Sequence, residues 1–215
     1  MTNIFSIVAI AASSSVGSAS LIITGVFDGP LSGGTPKVVE VYASTAIGDL
    51  SKYALEYYFN ANATPGTTIS LSGAAAAGDF FYFTPNTADF ATYFGLVSDY
   101  SGGSINGDDS LRLQFDDGSG AVTVDQFGSP STDGTGEAWE YLDGWAYRND
   151  DTGPSATFST SDWVFSGINV TDGDTTNATS GSPFPIGSFT VTSVPEPSTA
   201  LLGGLAFLGF LRRRR

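Results

Sequence analysis

Apolar and polar residues alternate along several short stretches of the chain, which is the pattern of β-strands with one buried face. Residues 110–115 show it most clearly, because Leu111, Leu113 and Phe115 share one face and polar residues occupy the other. Further strand-like runs lie at residues 21–27, 37–43, 53–59, 79–84 and 121–127, followed by an aromatic-rich region. The pattern therefore predicts six to eight short strands.

Turn-forming pairs separate these runs and favour antiparallel connections. They include Gly33-Gly34, Pro65-Gly66, Gly102-Gly103, Asn106-Gly107 and Asp117-Gly118. Only residues 87–94 have a pattern compatible with a helix, and no crossover helices are predicted. The expected fold class is therefore all-β, as an antiparallel β-sandwich.

The order of several short motifs resembles the lamin-tail domain, an immunoglobulin-like sandwich found in nuclear lamins and in secreted bacterial proteins. The motifs are Lys-Val-Val-Glu-Val-Tyr at 37–42, Asp-Leu-Ser-Lys-Tyr-Ala-Leu-Glu at 49–56, Asn-Gly-Asp-Asp-Ser-Leu-Arg-Leu at 106–113 and Trp-Ala-Tyr-Arg at 145–148. The resemblance implies an immunoglobulin-like, non-catalytic module over residues 21–168. Residues 169–193, rich in Gly, Ser and Thr, depart from that family and are predicted to form an extension.

The N-terminal region has the features of a secretory signal peptide. An apolar run at residues 4–12 is followed by small residues that offer cleavage sites near Ala19 and Ser20. We expect residues 1–20 to be a signal peptide, although no Lys or Arg precedes the apolar run. The alternative is that this run forms a first strand of the mature fold.

The C-terminal region combines three different segments. Val194, Pro195, Glu196, Pro197 and Ser198 form a stiff, extended element, because each proline fixes φ and restrains the residue before it. Residues 200–211 are uncharged and apolar and predict a short helix, below the ~20 residues of a comfortable membrane span. A basic cluster then closes the chain and favours retention on the cytoplasmic side: Arg212, Arg213, Arg214 and Arg215.

Residues 194–215 together resemble the PEP-CTERM sorting signal. Proteins with such a tail are secreted by Gram-negative bacteria and recognised by an exosortase-like membrane protease. The resemblance implies a transient hold in the inner membrane and cleavage near residues 195–198. The mature protein would then reach the cell surface or an extracellular matrix, where many such proteins are associated with exopolysaccharide and biofilm.

Composition narrows the function classes. The chain has 22 acidic and 8 basic residues and a net charge of −14, so it repels phosphate backbones and we expect no nucleic-acid partner. It contains no histidine and no cysteine, which excludes a thiolate nucleophile, a Cys/His zinc site and a His-based catalytic triad. We expect a non-enzymatic protein.

Two candidate binding sites remain on the body. Oxygen-rich turns could bind calcium, which takes 6–8 oxygen ligands, through Asp108, Asp109, Asp116 and Asp117; alternatively, these residues simply form turns. Aromatic rings in a Gly-rich segment could stack on sugars through Trp139, Tyr141 and Trp145; alternatively, these rings belong to the core. No other cofactor is expected.

The sequence thus favours a secreted surface or matrix module without catalytic activity. The alternative is a carbohydrate-binding or calcium-dependent adhesin. An enzyme is the weakest option, since its best carboxylate pair would be Glu40 and Glu56 facing each other across neighbouring strands.

Overall fold

β-Strands make up most of the regular structure in the computed structural model, which describes residues 21–192. These residues form strands β1 (Leu21–Leu31), β2 (Thr35–Ala43), β3 (Tyr53–Tyr58), β4 (Thr67–Ser70), β5 (Phe80–Thr84), β6 (Tyr100–Ser101), β7 (Ser110–Phe115), β8 (Val122–Phe127), β9 (Trp145–Arg148) and β10 (Trp163–Phe165). One α-helix, α1 (Thr87–Phe94), and three single-turn 3-10 helices, Leu50–Lys52, Thr160–Asp162 and Asn177–Thr179, complete the described elements. The predicted signal peptide, residues 1–20, and the sorting tail with its short helix, residues 194–215, lie outside the described residues.

The strands are arranged in two sheets. One has six strands in the order β10-β9-β1-β2-β5-β6, and the other has four in the order β4-β3-β7-β8. The strand pairings within these two sheets are antiparallel apart from β5 with β6, which run parallel. The predicted β-rich fold is confirmed, and no helix within residues 21–192 is long and apolar enough to cross a membrane.

The two sheets share one apolar core. Side chains from the six-stranded sheet, such as Ile23 and Val41, belong to the same buried cluster as Leu55 and Leu113 from the four-stranded sheet. Because successive residues of a strand point to opposite faces, each sheet also has an outer face directed away from this core. The two-layer packing is compatible with the predicted sandwich.

Strand β2 shows how both faces of the six-stranded sheet are covered. Val39 and Val41 lie in the shared core, whereas Val38 belongs to a second buried cluster on the outer face. Glu40 therefore points to the outer face, where it is fully buried. Helix α1 contributes Phe90 and Tyr93 to this second cluster.

The remaining cover on the outer face comes from residues 177–192, here called the C-terminal strap. Phe184 and Phe189 are each 2% exposed and belong to the second cluster. Residues 177–192, which lie within the predicted extension 169–193, therefore pack on the sheet as part of the folded body.

Candidate functional site

The strap is positioned by aromatic packing against the outer face of the six-stranded sheet. The ring centroid of Phe184 lies 5.5 Å from that of Phe27 and 5.4 Å from that of Tyr147. Phe189 packs edge-on against Tyr42 at 5.3 Å. Gly25 makes this arrangement possible, because a Cβ at that position would lie 2.5 Å from the Phe184 ring.

A buried polar network joins the same strap to the sheet. The backbone N–H of Gly187 donates to Glu40 Oε2 at 2.6 Å, and the N–H of Phe189 donates to the Tyr147 hydroxyl at 2.8 Å. That hydroxyl donates in turn to Glu40 Oε1 at 2.8 Å, and Thr24 Oγ1 donates to the same oxygen at 2.7 Å. A single carboxylate thus connects β1, β2, β9 and the strap.

The electrostatics of Glu40 follow from its burial among neutral donors. Desolvation raises the pKa of Glu40 to about 7, while the hydrogen bonds from Thr24, Gly187 and Tyr147 oppose the shift. The same burial raises the pKa of Tyr147, so its hydroxyl stays a donor. The network is therefore sensitive to pH near neutrality.

The last described residues of the strap are held by a loop that directly follows β9. This feature, here called the aspartate loop, consists of Asp150 and Asp151. Asp150 Oδ1 accepts from the N–H of Thr190 at 2.8 Å, and the N–H of Asp151 donates to the Thr190 carbonyl at 3.0 Å. Asp151 also accepts from the N–H of Thr192 and, at 3.1 Å, from its hydroxyl. The chain is thus fixed to the body up to Thr192, three residues before Pro195.

A second buried carboxylate lies in the shared core. Asp125 pairs with the Arg148 guanidinium at 2.8 Å and accepts the N–H of Ile23, also at 2.8 Å. Arg148 Nε donates to the Ile23 carbonyl at 2.7 Å, and the guanidinium lies 4.7 Å from the centre of the Trp163 ring. Burial raises the pKa of Asp125, and the Arg148 charge opposes that shift. This pair joins β8 of the four-stranded sheet to β1 and β9 of the other.

A β-bulge explains how a carboxylate comes to lie inside. The register of β7 with β8 shifts between Leu113 and Gln114, so that Asp125 lies opposite the inward-facing Leu113. Val122 and Val124 would share one face if residues 121–127 alternated regularly, but Val122 is 55% exposed whereas Val124 packs against the shared core. The sequence pattern alone missed this change of face.

The predicted glycan contacts are corrected by their burial. Trp139 and Tyr141 lie in the shared core and Trp145 lies in the outer cluster, with 5%, 0% and 8% of their surface exposed. The Trp145 indole N–H donates to the Ser182 carbonyl of the strap at 2.8 Å. Their faces pack against protein, so they do not offer a stacking surface for sugars.

The predicted calcium ligands are not brought together into one site. Asp108 and Asp109 precede β7, whereas Asp116 and Asp117 follow it, and six strand residues separate the pairs by about 20 Å. No group of three or more carboxylates in residues 21–192 is arranged to hold a metal ion.

Local hydrogen bonds account for most of these aspartates. Asp109 accepts backbone N–H groups of Asn60 and Asn106, and burial raises its pKa. Asp116 accepts the N–H groups of Gly118 and Gly120, which close the turn after β7. Asp117 makes the same kind of bond to the N–H of Ser119, and Asp108 accepts from the Thr135 hydroxyl. These contacts fit the turn-forming alternative.

The expectation that Glu40 and Glu56 face each other across neighbouring strands is wrong. Strands β2 and β3 belong to different sheets. Because Leu55 and Tyr57 point into the core, Glu56 points to the outer face of the four-stranded sheet, where it accepts from Gln114 and from the Tyr58 hydroxyl. The two carboxylates are thus directed away from each other on opposite sides of the core.

Sequence reasoning missed the Glu40 network, although one signal was available. Glu40 is the charged residue in an otherwise apolar run, Val38 to Tyr42. A carboxylate in the middle of a strand that is buried on both faces requires hydrogen-bond partners from another part of the chain.

Comparison with known proteins identifies the segment that directly follows the strap. Residues 193–215 match the family model described as the PEP-CTERM protein-sorting motif. A comparison with curated proteins found no match, and a comparison with solved structures found none either. The motif implies a protein of Gram-negative bacteria that is exported and sorted to the cell surface, with processing by exosortase, a membrane protein.

Proposed function

We propose that the chain is a non-catalytic surface or extracellular-matrix module, released from the inner membrane by exosortase cleavage near residues 195–198. The observation that carries the proposal is the sorting motif at 193–215, which begins immediately after the last residue fixed to the folded body. In this proposal Glu196 and its flanking prolines, Pro195 and Pro197, are what the protease reads. The terminal arginines hold the tail on the cytoplasmic side until cleavage.

The body in this proposal is an immunoglobulin-like module related to the lamin-tail domain, and an N-terminal signal peptide exports it. Two packed sheets with largely antiparallel pairing support that assignment. A role without catalysis is supported by the placement of Glu40 and Glu56 on opposite outer faces, and by Asp125 being paired with Arg148. The mature protein is placed beside exopolysaccharide because many proteins with such a tail are associated with it.

Replacing Pro195, Glu196 and Pro197 with alanine tests this proposal. The variant should accumulate as the uncut precursor in the inner-membrane fraction, because the extended, proline-fixed element is lost. Cell fractionation followed by immunoblotting measures the distribution of the two forms. Glu137→Ala, which removes one exposed carboxylate of the body, is the control and should be processed normally. Normal surface release of the triple variant would contradict the proposal.

A further inference from the structure

The aspartate loop does more than close a turn, because both of its carboxylates accept hydrogen bonds from the end of the strap. Asp150 binds the N–H of Thr190, and Asp151 binds the N–H and the hydroxyl of Thr192. The loop is itself fixed to the body: the N–H of Asn149 donates to the Asp162 carbonyl at 2.9 Å. The end of the strap is therefore tied to a rigid part of the fold.

This attachment leaves a short length of chain between the body and the protease-recognised motif. Only three residues lead from Thr192 to Pro195, a reach of at most about 10 Å. Eight residues lead from Thr192 to Ala200, where the apolar segment begins, a reach of at most about 29 Å. As long as the aspartate loop holds Thr192, the body stays within about 29 Å of the start of the apolar segment that enters the membrane. The exosortase must fit into that space.

We propose that Asp150 and Asp151 are positioning residues for processing: by holding Thr190 and Thr192 on the body, they limit access of the exosortase to the sorting motif. This inference rests on the proposed function. Proteases that read an extended peptide need several free residues on each side of the cleaved bond. While the strap is attached, few free residues lie between the body and the cleaved bond.

The next attachments inward are the Thr190 carbonyl, which accepts from the backbone N–H of Asp151, and Phe189. Its ring is buried and its N–H donates to the Tyr147 hydroxyl. Loss of the two carboxylates therefore frees residues 191–192, which adds about 7 Å to the reach of the sorting motif. The core and the Glu40 network stay in place, so the folded body remains intact.

The test uses the full-length chain in cells that contain the exosortase, with pulse-chase labelling to measure the half-time of precursor conversion. In the Asp150→Ala/Asp151→Ala variant, the rate of conversion should rise by about threefold to tenfold, since each lost hydrogen bond raises the population with a released end. Asp150→Asn/Asp151→Asn should convert at close to the wild-type rate, because the amide oxygen can still accept the same backbone N–H groups.

Two further variants test whether release of the strap, rather than the loss of negative charge, changes the rate of conversion. Asp116→Ala/Asp117→Ala removes an equally exposed pair whose bonds stay within its own turn, so conversion should match the wild type. Insertion of three Gly/Ser residues after Thr192 lengthens the tether without touching the aspartates, and it should accelerate conversion to a similar extent.

Unchanged or slower conversion in the double alanine variant would overturn this inference alone, and so would an unchanged rate in the insertion variant. Failure of the proposed function has a different signature: the wild-type precursor would not be cut, or the Pro195, Glu196 and Pro197 alanine variant would be cut normally. The two ideas can thus fail separately in the same assay.

Discussion

Asp125 and Glu40 are among the fully buried carboxylates of residues 21–192, and they differ in their position and in their partners. Asp125, on the inner face, is paired with the charged Arg148 and joins the two sheets. Glu40, on the outer face, is bound by Thr24, Tyr147 and Gly187, all of them neutral donors. The first arrangement holds an ionised pair within the core, whereas the second holds the strap with a group that titrates near pH 7. The difference separates a buried carboxylate held by a counter-charge from one held by neutral donors.

The largest expected effect on stability comes from breaking the Asp125–Arg148 pair. Arg148→Met leaves Asp125 buried without a counter-charge, and we expect the free energy of unfolding of the mature protein to fall by about 3–5 kcal/mol. Urea unfolding followed by tryptophan fluorescence measures this change. Arg112→Met is the matched control: Arg112 is only half-buried and donates to Gln126, so it should cost less than about 1 kcal/mol. An equal fall in the free energy of unfolding in the two variants would contradict the role assigned to the Asp125–Arg148 pair.

The packing around Glu40 on the outer face can be weakened by removing an aromatic ring of the strap. Phe184→Ala removes a ring that is 2% exposed and should destabilise the mature protein by about 3 kcal/mol, through lost burial and the cavity left behind. The same unfolding assay applies. Val164→Ala, at a side chain that is 51% exposed, provides the control and should have little effect. A small loss for Phe184→Ala would mean that the strap is not part of the folded body.

The pH dependence of stability tests the carboxylate of the outer face, and its expected effect is no larger than that of Phe184→Ala. The pKa of Glu40 is raised from 4.5 to about 7 on folding, so the folded state binds this proton more tightly than the unfolded state. The stability contributed by the protonated form is complete below pH 4.5 and is lost as the pH rises through 7, by roughly 3 kcal/mol. Unfolding midpoints measured between pH 4 and pH 8 follow this loss.

Glu40→Gln isolates that contribution. Burial also raises the pKa of Asp28, Asp109 and Asp125, so part of the slope in the wild type belongs to these groups. Removing the titration of Glu40 should flatten the profile between pH 4.5 and pH 7 without abolishing it. An identical slope in the variant and the wild type would show that Glu40 does not titrate in this range.

Local patterns predicted the elements whose structure depends on nearby residues. Residues 87–94 form α1 and residues 110–115 form β7 with the bounds that periodicity indicated. The bulge that turns Asp125 inward could not be predicted, because it is a property of the pairing of β8 with β7. The two-residue strand β6 is too short to show any period.

In the candidate site, too, the local features could be predicted from the sequence and the long-range contacts could not. The sorting motif is linear, so the order of its residues is sufficient for recognition, and the family match at 193–215 confirmed it. The network of Glu40 with Gly187 joins residues 147 positions apart, a contact that no local pattern specifies. The three rings at Trp139, Tyr141 and Trp145 are equally suited to sugar stacking and to a core, and only the packing distinguishes the two.

The most direct test of the central claim is the intact mass of the protein recovered from the cell-surface fraction. We expect a chain that ends within residues 194–198, with the apolar segment and the terminal arginines removed, and that lacks about the first 20 residues. A mass that retains residues 200–215 would show that the tail is a permanent anchor, and it would contradict cleavage by an exosortase.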